Sequence, residues 1–389
     1  MSKRLEAEVW ALDNCAGCGL CVSACSKQVL KWDGGSHPVL NRPIKTIGYT
    51  KEALDTCTFC PKFCEEVCPR LVEHGAPLEA KLVLEARANG PVKTGTPSGV
   101  ILGILAAGRS AGLIDGVLMQ DFDPWKLEPI ARVVSTVEEI VDSIGPQYLW
   151  SPTLDALNEA VFEWGMKNLA VVGTPCVAQA VRRLKDSPNP RLKPYQDAIR
   201  LVVSVFCTGI YKPELIREEV ISKMGIAPEA IKRLEVSIEQ DALRVILWDG
   251  SEKIIKRQRA ESYTRAGCGS CDDFLGTSAD IAVGSLGTDQ DASTLLIYTR
   301  TGDVFTRNAI KMILINTTDK VDLNALKIAV EEKSRRERAQ AFQDVRILML
   351  DALADPLKRG EAIQQFVRLY RTPAPSKPQE MVRNSCTGC

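Results

Sequence analysis

Residues 168–184 read NLAVVGTPCVAQAVRRL. A short apolar run closes on Gly173-Thr174-Pro175, and an amphipathic stretch follows. Proline suits the first turn of a helix, where its missing amide has no partner to lose. The stretch therefore predicts a buried strand, a turn and a helix starting near Pro175, the unit of an α/β sheet. Residues 200–209, RLVVSVFCTG, repeat the strand grammar. Each unit places a cysteine, Cys176 or Cys207, at a strand's carboxyl end. Open α/β folds hold ligands along that edge, and a helix N-terminus favours a thiolate at Cys176. Alone, either cysteine reads as an ordinary buried thiol. The hook CGSC at Cys268–Cys271 could supply two more thiolates, and together the four point to a 4Fe–4S cluster.

Working outward, GVILGILAAGRSAGLID from Gly99 reads as a helix ending near Gly112, and DGVLMQ from Asp115 as a strand. TVEEIVDSI and TLDALNEAVFEWGM read as helices. Residues 233–257 alternate polar and apolar side chains, with Gln240-Asp241 and Asp249-Gly250 at turns, and predict an antiparallel meander. DIAVGSLG and STLLIYTRTGD read as further strands, and Leu323–Arg338 as a charged amphipathic helix. Leu348–Leu369 reads as another helix, interrupted near Pro356, ahead of a Pro- and Ser-rich tail.

Fourteen cysteines stand against two histidines, His37 and His74, in 389 residues. Residues 1–15 contain no apolar leader, so the cysteines are expected to be metal ligands or redox groups rather than disulfides. Cys15, Cys18, Cys21 and Cys25 follow the spacing C-x2-C-x2-C-x3-C. Cys57, Cys60, Cys64 and Cys68, then Pro69, follow C-x2-C-x3-C-x3-C-P, one residue longer than the usual run. In two-cluster ferredoxins the fourth cysteine of each run ligates the other cluster. Cys15, Cys18, Cys21 and Cys68 are thus expected on one 4Fe–4S cluster, and Cys57, Cys60, Cys64 and Cys25 on a second. Zinc and disulfides are the plainer readings, but structural zinc sites pair two short hooks across a long loop. Ser26 stands where a proline usually follows the first run.

Apolar residues make up 45% and charged residues 25%, the composition of a globular protein, and 49 basic residues balance 49 acidic ones. No overall basic field exists to hold nucleic acid. The apolar runs fall short of the ~20 residues of a spanning helix, so a cytoplasmic protein is expected, attached to a membrane only through a partner. The expected division is a two-cluster ferredoxin-like domain over 1–87, a linker over 88–97, an α/β core over 98–320 with a mixed, largely parallel sheet, and a helical extension over 321–389. That division implies a core that folds without residues 1–85. The terminal pair Cys386 and Cys389 reads equally as a redox pair, half a metal site or a free end.

TPSGV before a helix, then VVGTPC, VFCTG, CGSCDDF and ADIAVGSLG, occur in one order that resembles the beta subunits of coenzyme F420 hydrogenases and dehydrogenases. The resemblance covers about residues 90–310, and chlorophyll-type macrocycle reductases share the family. It implies one FAD and a core 4Fe–4S cluster on Cys176, Cys207, Cys268 and Cys271, hence three clusters in all. It also implies FAD contacts at Ser98, Gly99 and Val100, where valine replaces the family's second glycine, and at Tyr148 and Ser151, in a segment only partly kept beside Pro146-Gln147. The helix N-terminus there would meet the pyrophosphate; a plain N-cap by Ser98 is the alternative.

The deazaflavin F420 is the implied substrate, and its phosphate and glutamate tail needs cations. Lys253, Lys256, Arg257, Arg259 and Arg265 are candidates, against a plain solvated face. Arg182, Arg183 and Lys185 read as a polar helix face first and a tail site second. The expected partner is a redox subunit: a hydrogenase, formate dehydrogenase, heterodisulfide reductase or quinone-linked complex. The alternatives are a ferredoxin-dependent macrocycle reductase, disfavoured by an aromatic content of 6%, and a pure electron relay.

Overall fold

The computed structural model describes residues 2–40, 60–71, 76–90, 97–123, 128–143, 149–237, 242–289 and 291–337. Cys57, Tyr148, the helix expected at 348–369 and the Cys386–Cys389 pair lie outside the described residues.

In the N-terminal part a short ladder, β1 (Leu30–Lys31) against β2 (Val39–Leu40), accompanies one-turn helices at Leu20–Ser23 and Phe63–Glu66. The strands that follow are β3 (Leu82–Ala88), β4 (Gly116–Asp123), β5 (Glu128–Val134), β6 (Leu169–Gly173), β7 (Ile199–Val205), β8 (Ile231–Ser237), β9 (Ala242–Leu247), β10 (Glu252–Lys256), β11 (Ile281–Gly284), β12 (Ser293–Ile297) and β13 (Ile315–Thr318). Eight of them form one sheet in the order β13-β3-β12-β11-β7-β6-β4-β5. Parallel pairing is confined to the central strands β11, β7, β6 and β4. Both flanks are antiparallel. The sheet is therefore mixed, and less parallel than its apolar runs imply. A run buried on both faces reads the same whichever way its neighbour points.

Those central strands are buried on both faces. The helices Pro97–Ser110 and Arg300–Lys311 cover one face, joining Ile101, Leu105 and Phe305 to Val117, Val172, Val203 and Ile281. The helix Pro175–Asp186 covers the other with Val177, Val181 and Leu184 against Leu118, Val171 and Leu169. The meander is present as a separate sheet, β10-β9-β8, packed on residues 215–226. The segment Thr299–Asp303, read as the end of a strand, instead caps and opens the helix Arg300–Lys311, with the Thr299 side chain accepting from the Gly302 amide.

The N-terminal part packs directly against the core. Leu20, Ala24, Phe63 and Val67 enter the same apolar cluster as Leu154, Leu157, Val181 and Leu184. Strand β3 pairs with β12 and β13 inside the large sheet. A boundary after residue 87 falls inside that strand, and residues 1–85 add Leu20, Ala24, Phe63 and Val67 to the packing around the helix Pro175–Asp186.

Candidate functional site

The strand-turn-helix unit at β6 puts Cys176 in the first turn of its helix, with Thr174 at the N-cap and Pro175 at N1. Cys207 follows the end of adjacent β7, and its amide donates to Phe274 O at 3.0 Å. That bond draws the hook loop onto the same edge. Buried Asp273 pins the loop: its carboxylate accepts from the Gly276 amide at 2.7 Å and from Gln179 Nε2, one turn along from Cys176, at 3.4 Å.

The thiols of Cys176, Cys207, Cys268 and Cys271 lie within one another's electrostatic reach. Burial pushes the Cys176 thiol up to about 11, with the neighbouring Cys271 adding to it. Burial also pushes Cys207 well above the ordinary thiol range, opposed by the Lys333 ammonium. Four thiols gathered at one edge, three of them half-buried and Cys271 buried, are a donor set that a bound metal centre would deprotonate and hold.

The second set is Cys15, Cys18, Cys21 and Cys68. Burial raises all four thiols, and the field on Cys21 comes from Cys18, Cys15, Cys68 and Cys64. The third set is visible in part: Cys25, Cys60 and Cys64 line one small cavity with Trp10, Leu30 and Phe63. Ser26 Oγ stands 3.7 Å from Cys60 Sγ, so the residue in the proline's usual place faces this group. The described cysteines are all free thiols, and among the described residues no cluster of ligating side chains closes to the span of one bare metal ion.

The first two sets are neighbours. Cys18 feels Cys176 more strongly than it feels Cys68 or Cys15, and Cys176 Sγ lies 3.8 Å from Ala16 O. Two arginines cross the seam in opposite directions. Arg70, two residues past Cys68, donates to Gly267 O and Ser270 O, both at 2.9 Å. Arg265, just before the hook, donates to Ser36 O at 2.6 Å and Cys15 O at 3.4 Å, with its guanidinium 4.1 Å over Trp150. The seam is tight at Gly267, where a Cβ would overlap Cys15 O, and at Gly17, whose φ of +74° and contact with Trp150 both call for glycine.

A small cavity of about 20 Å³ lies between the two thiol sets. Gly17, Cys18, Gln120, Trp150, Ser151 and Cys176 are among its lining residues. Ser151 Oγ is buried there with no hydrogen-bond partner. An orphaned hydroxyl facing a cavity beside thiols is what a polar cofactor edge would satisfy. Ser98, Gly99 and Val100 open the helix after β3, and β3 points the same way as β4, β6 and β7. Both features lie along the carboxyl edge of the sheet.

The five cations expected on the F420 tail do not gather. Arg265 is buried in the seam. Arg257 pairs with Glu261, and Arg259 with Glu219. Lys253 and Lys256 lie three residues apart on β10, so they leave opposite faces of the strand. Arg183 donates to Glu66 O and Arg182 to Ala76 O, so that helix face holds the N-terminal part instead. Sequence reading missed Arg70 and Lys333, for which spacing carries no signal.

The matches to known proteins run along the same division. Residues 83–158 match the model described as coenzyme F420 hydrogenase/dehydrogenase, beta subunit N-term, and residues 166–322 match its C terminus counterpart. Residues 14–72 match a 4Fe-4S dicluster domain. The chain is 34% identical over 356 residues to an uncharacterized protein of Methanocaldococcus jannaschii, covering 86% of this chain and 97% of that one. It is 25% identical over 255 residues to the coenzyme F420 hydrogenase subunit beta of Methanothermobacter thermautotrophicus, covering 63% and 88%. Its fold is similar to a chain of the F420-reducing [NiFe] hydrogenase complex from Methanosarcina barkeri, with a TM-score of 0.62 and 22% identity over 70% of this chain and 94% of that one. With both halves matched and a dicluster segment ahead of them, the chain belongs to the coenzyme F420 hydrogenase/dehydrogenase beta-subunit family.

Proposed function

We propose that this chain is an iron–sulfur flavoprotein subunit that exchanges hydride with coenzyme F420 and single electrons with a partner oxidoreductase. The carrying observation is the adjacency of Cys18 and Cys176 across a cavity into which the unpartnered Ser151 hydroxyl faces. A bound FAD supplies the conversion between two-electron and one-electron chemistry, which deazaflavins and iron–sulfur clusters do not share.

The chain's own residues orient and insulate. Cys176, Cys207, Cys268 and Cys271 hold a core 4Fe–4S cluster; Cys15, Cys18, Cys21 and Cys68 hold the next; Cys25, Cys60 and Cys64, with Cys57, hold the outermost. Trp150 and Gln120 wall the cavity, and the Gln120 amide is fixed by donating to Leu149 O at 2.6 Å. Ser151 offers its hydroxyl to the flavin, and Ser98, Gly99 and Val100 offer a helix start to the pyrophosphate. No helix among the described residues is long and apolar enough to cross a membrane. The partner, a hydrogenase, a dehydrogenase or another reductase, is met through the outermost thiol set, the one farthest from the flavin along this path.

The test is an anaerobic assay of viologen reduction by reduced F420. Wild type is expected to reduce the dye only when FAD is bound. Cys176→Ser is expected to keep the outer cluster spectra and flavin reduction while dye reduction falls to background. Full dye reduction in that variant would remove the core thiols from the path.

A further inference from the structure

Three cations from three parts of the chain converge on the core thiols. Arg70 comes from the N-terminal part and Arg265 precedes the hook. Lys333 comes from the helix of residues 323–337, beyond the end of the family match at residue 322. Lys333 is only 4% exposed, and its Nζ donates to Thr208 O at 3.0 Å, beside Cys207. The hydrogen-bond partners of all three are backbone carbonyls and a thiol; among the described residues none pairs with a carboxylate. Arg70 Nε and Arg265 Nε are also buried without partners. Buried cations without counter-charge are costly, so this arrangement is stable only around an anion.

The three cations do not act alike. Arg70 reaches Cys68 and Cys15 as well as Cys271, Cys176 and Cys268, and Arg265 reaches Cys15 and Cys18 as well as Cys268 and Cys176. Lys333 instead meets the chain at Thr208 O, beside Cys207 of the core set, and the thiols acting on it most are Cys207, Cys271, Cys268 and Cys176. Burial lowers the Lys333 ammonium, yet these thiols carry it above the ordinary lysine value. A 4Fe–4S cluster with four thiolate ligands is an anion and gains a further negative charge on reduction. A cation held close in a medium of low polarity stabilises the reduced form more than the oxidised one.

We propose that Lys333 raises the reduction potential of the core cluster and sets it apart from that of its neighbour, while Arg70 and Arg265 act on both. This rests on the functional reading above. In the step concerned, one electron enters the oxidised cluster from a dithionite titrant. The cluster gains one negative charge, no covalent bond forms or breaks, and no proton moves.

The experiment is a potentiometric titration of the anaerobic, fully loaded chain, followed by electron paramagnetic resonance. The core signal is identified by its loss in Cys176→Ser. Lys333→Met is expected to shift the core couple tenfold or more toward the oxidised form at a fixed potential. That corresponds to a fall of about 59 mV or more for a one-electron couple. The other signals should stay in place, and Lys333→Arg should restore most of the loss. Lys333→Gln, which keeps a donor for Thr208 O, gives the same reading should the methionine variant not fold. Arg70→Gln is expected to lower two signals together. A core potential unmoved in Lys333→Met or Lys333→Gln, at about twelve irons per chain, overturns this inference and leaves the functional reading intact. About eight irons in the wild type would overturn both.

Discussion

The two principal thiol sets are built by different means. Cys15, Cys18 and Cys21 lie in one loop, where seven residues of sequence fix three ligands and Gly17 and Gly19 supply left-handed turns. Cys176, Cys207, Cys268 and Cys271 are spread over about a quarter of the chain and meet only because β6 and β7 are parallel neighbours and Asp273 pins the hook loop. Three ligands of the first set are placed locally, with Cys68 brought to them from elsewhere in the chain, and the second set is wholly a product of the tertiary fold. The core set thus takes its geometry from packing, and the loop spacing takes its geometry from the chain. The seam joining the two sets is where they depend on each other.

The largest expected effect comes from cutting at that seam. A chain starting at residue 82 keeps β3 whole but exposes the apolar surface that Leu20, Ala24, Phe63 and Val67 cover. It is expected to be insoluble or to lack cooperative unfolding, as read by circular dichroism and size-exclusion chromatography. A soluble, folded fragment that retains the core cluster would make the sets independent and break the comparison.

A smaller change sharpens it. Leu154 is fully buried in the shared cluster, and its amide donates to Cys18 O at 2.8 Å. Leu154→Ala should cost about 2–5 kcal/mol of stability. Denaturant unfolding followed by cluster absorbance should show the core and N-terminal clusters lost together at a lower midpoint. Separate transitions would mean that the seam does not couple them.

The smallest effect concerns Asp155, which lies on the same seam and whose backbone carbonyl accepts from Ser23 Oγ at 2.8 Å. Burial raises its carboxyl to about 6. A carboxyl whose folded value exceeds its unfolded value stabilises the fold below the unfolded value and loses that contribution as pH rises through about 6. Urea midpoints should therefore rise slightly as pH falls from 7 toward 5, and Asp155→Asn should flatten that part of the profile. An unchanged slope in Asp155→Asn would place the titration elsewhere.

What was legible in the sequence follows the same contrast. The N-terminal ligand spacing, the units at Cys176 and Cys207, the meander and the charged helix near residue 330 could be read because each is carried by neighbours in the chain. β3, LVLEARA, could not be assigned to the core from its own residues, because its partners β12 and β13 lie some 200 residues away. The basic stretch 253–265 looked like one patch because sequence adjacency hides alternation on a strand and the inward turn at Arg265. Lys333 was part of a correctly read helix, but nothing in a charged amphipathic pattern distinguishes the one lysine that turns inward.

The central claim is that the fold itself, and not only the N-terminal spacing, assembles a cluster site. Iron and labile sulfide analysis of the anaerobically purified, reconstituted chain tests it most directly. About twelve irons per chain are expected, falling to about eight in Cys207→Ser with the N-terminal clusters retained. About eight irons in the wild type, unchanged by Cys207→Ser, would contradict it.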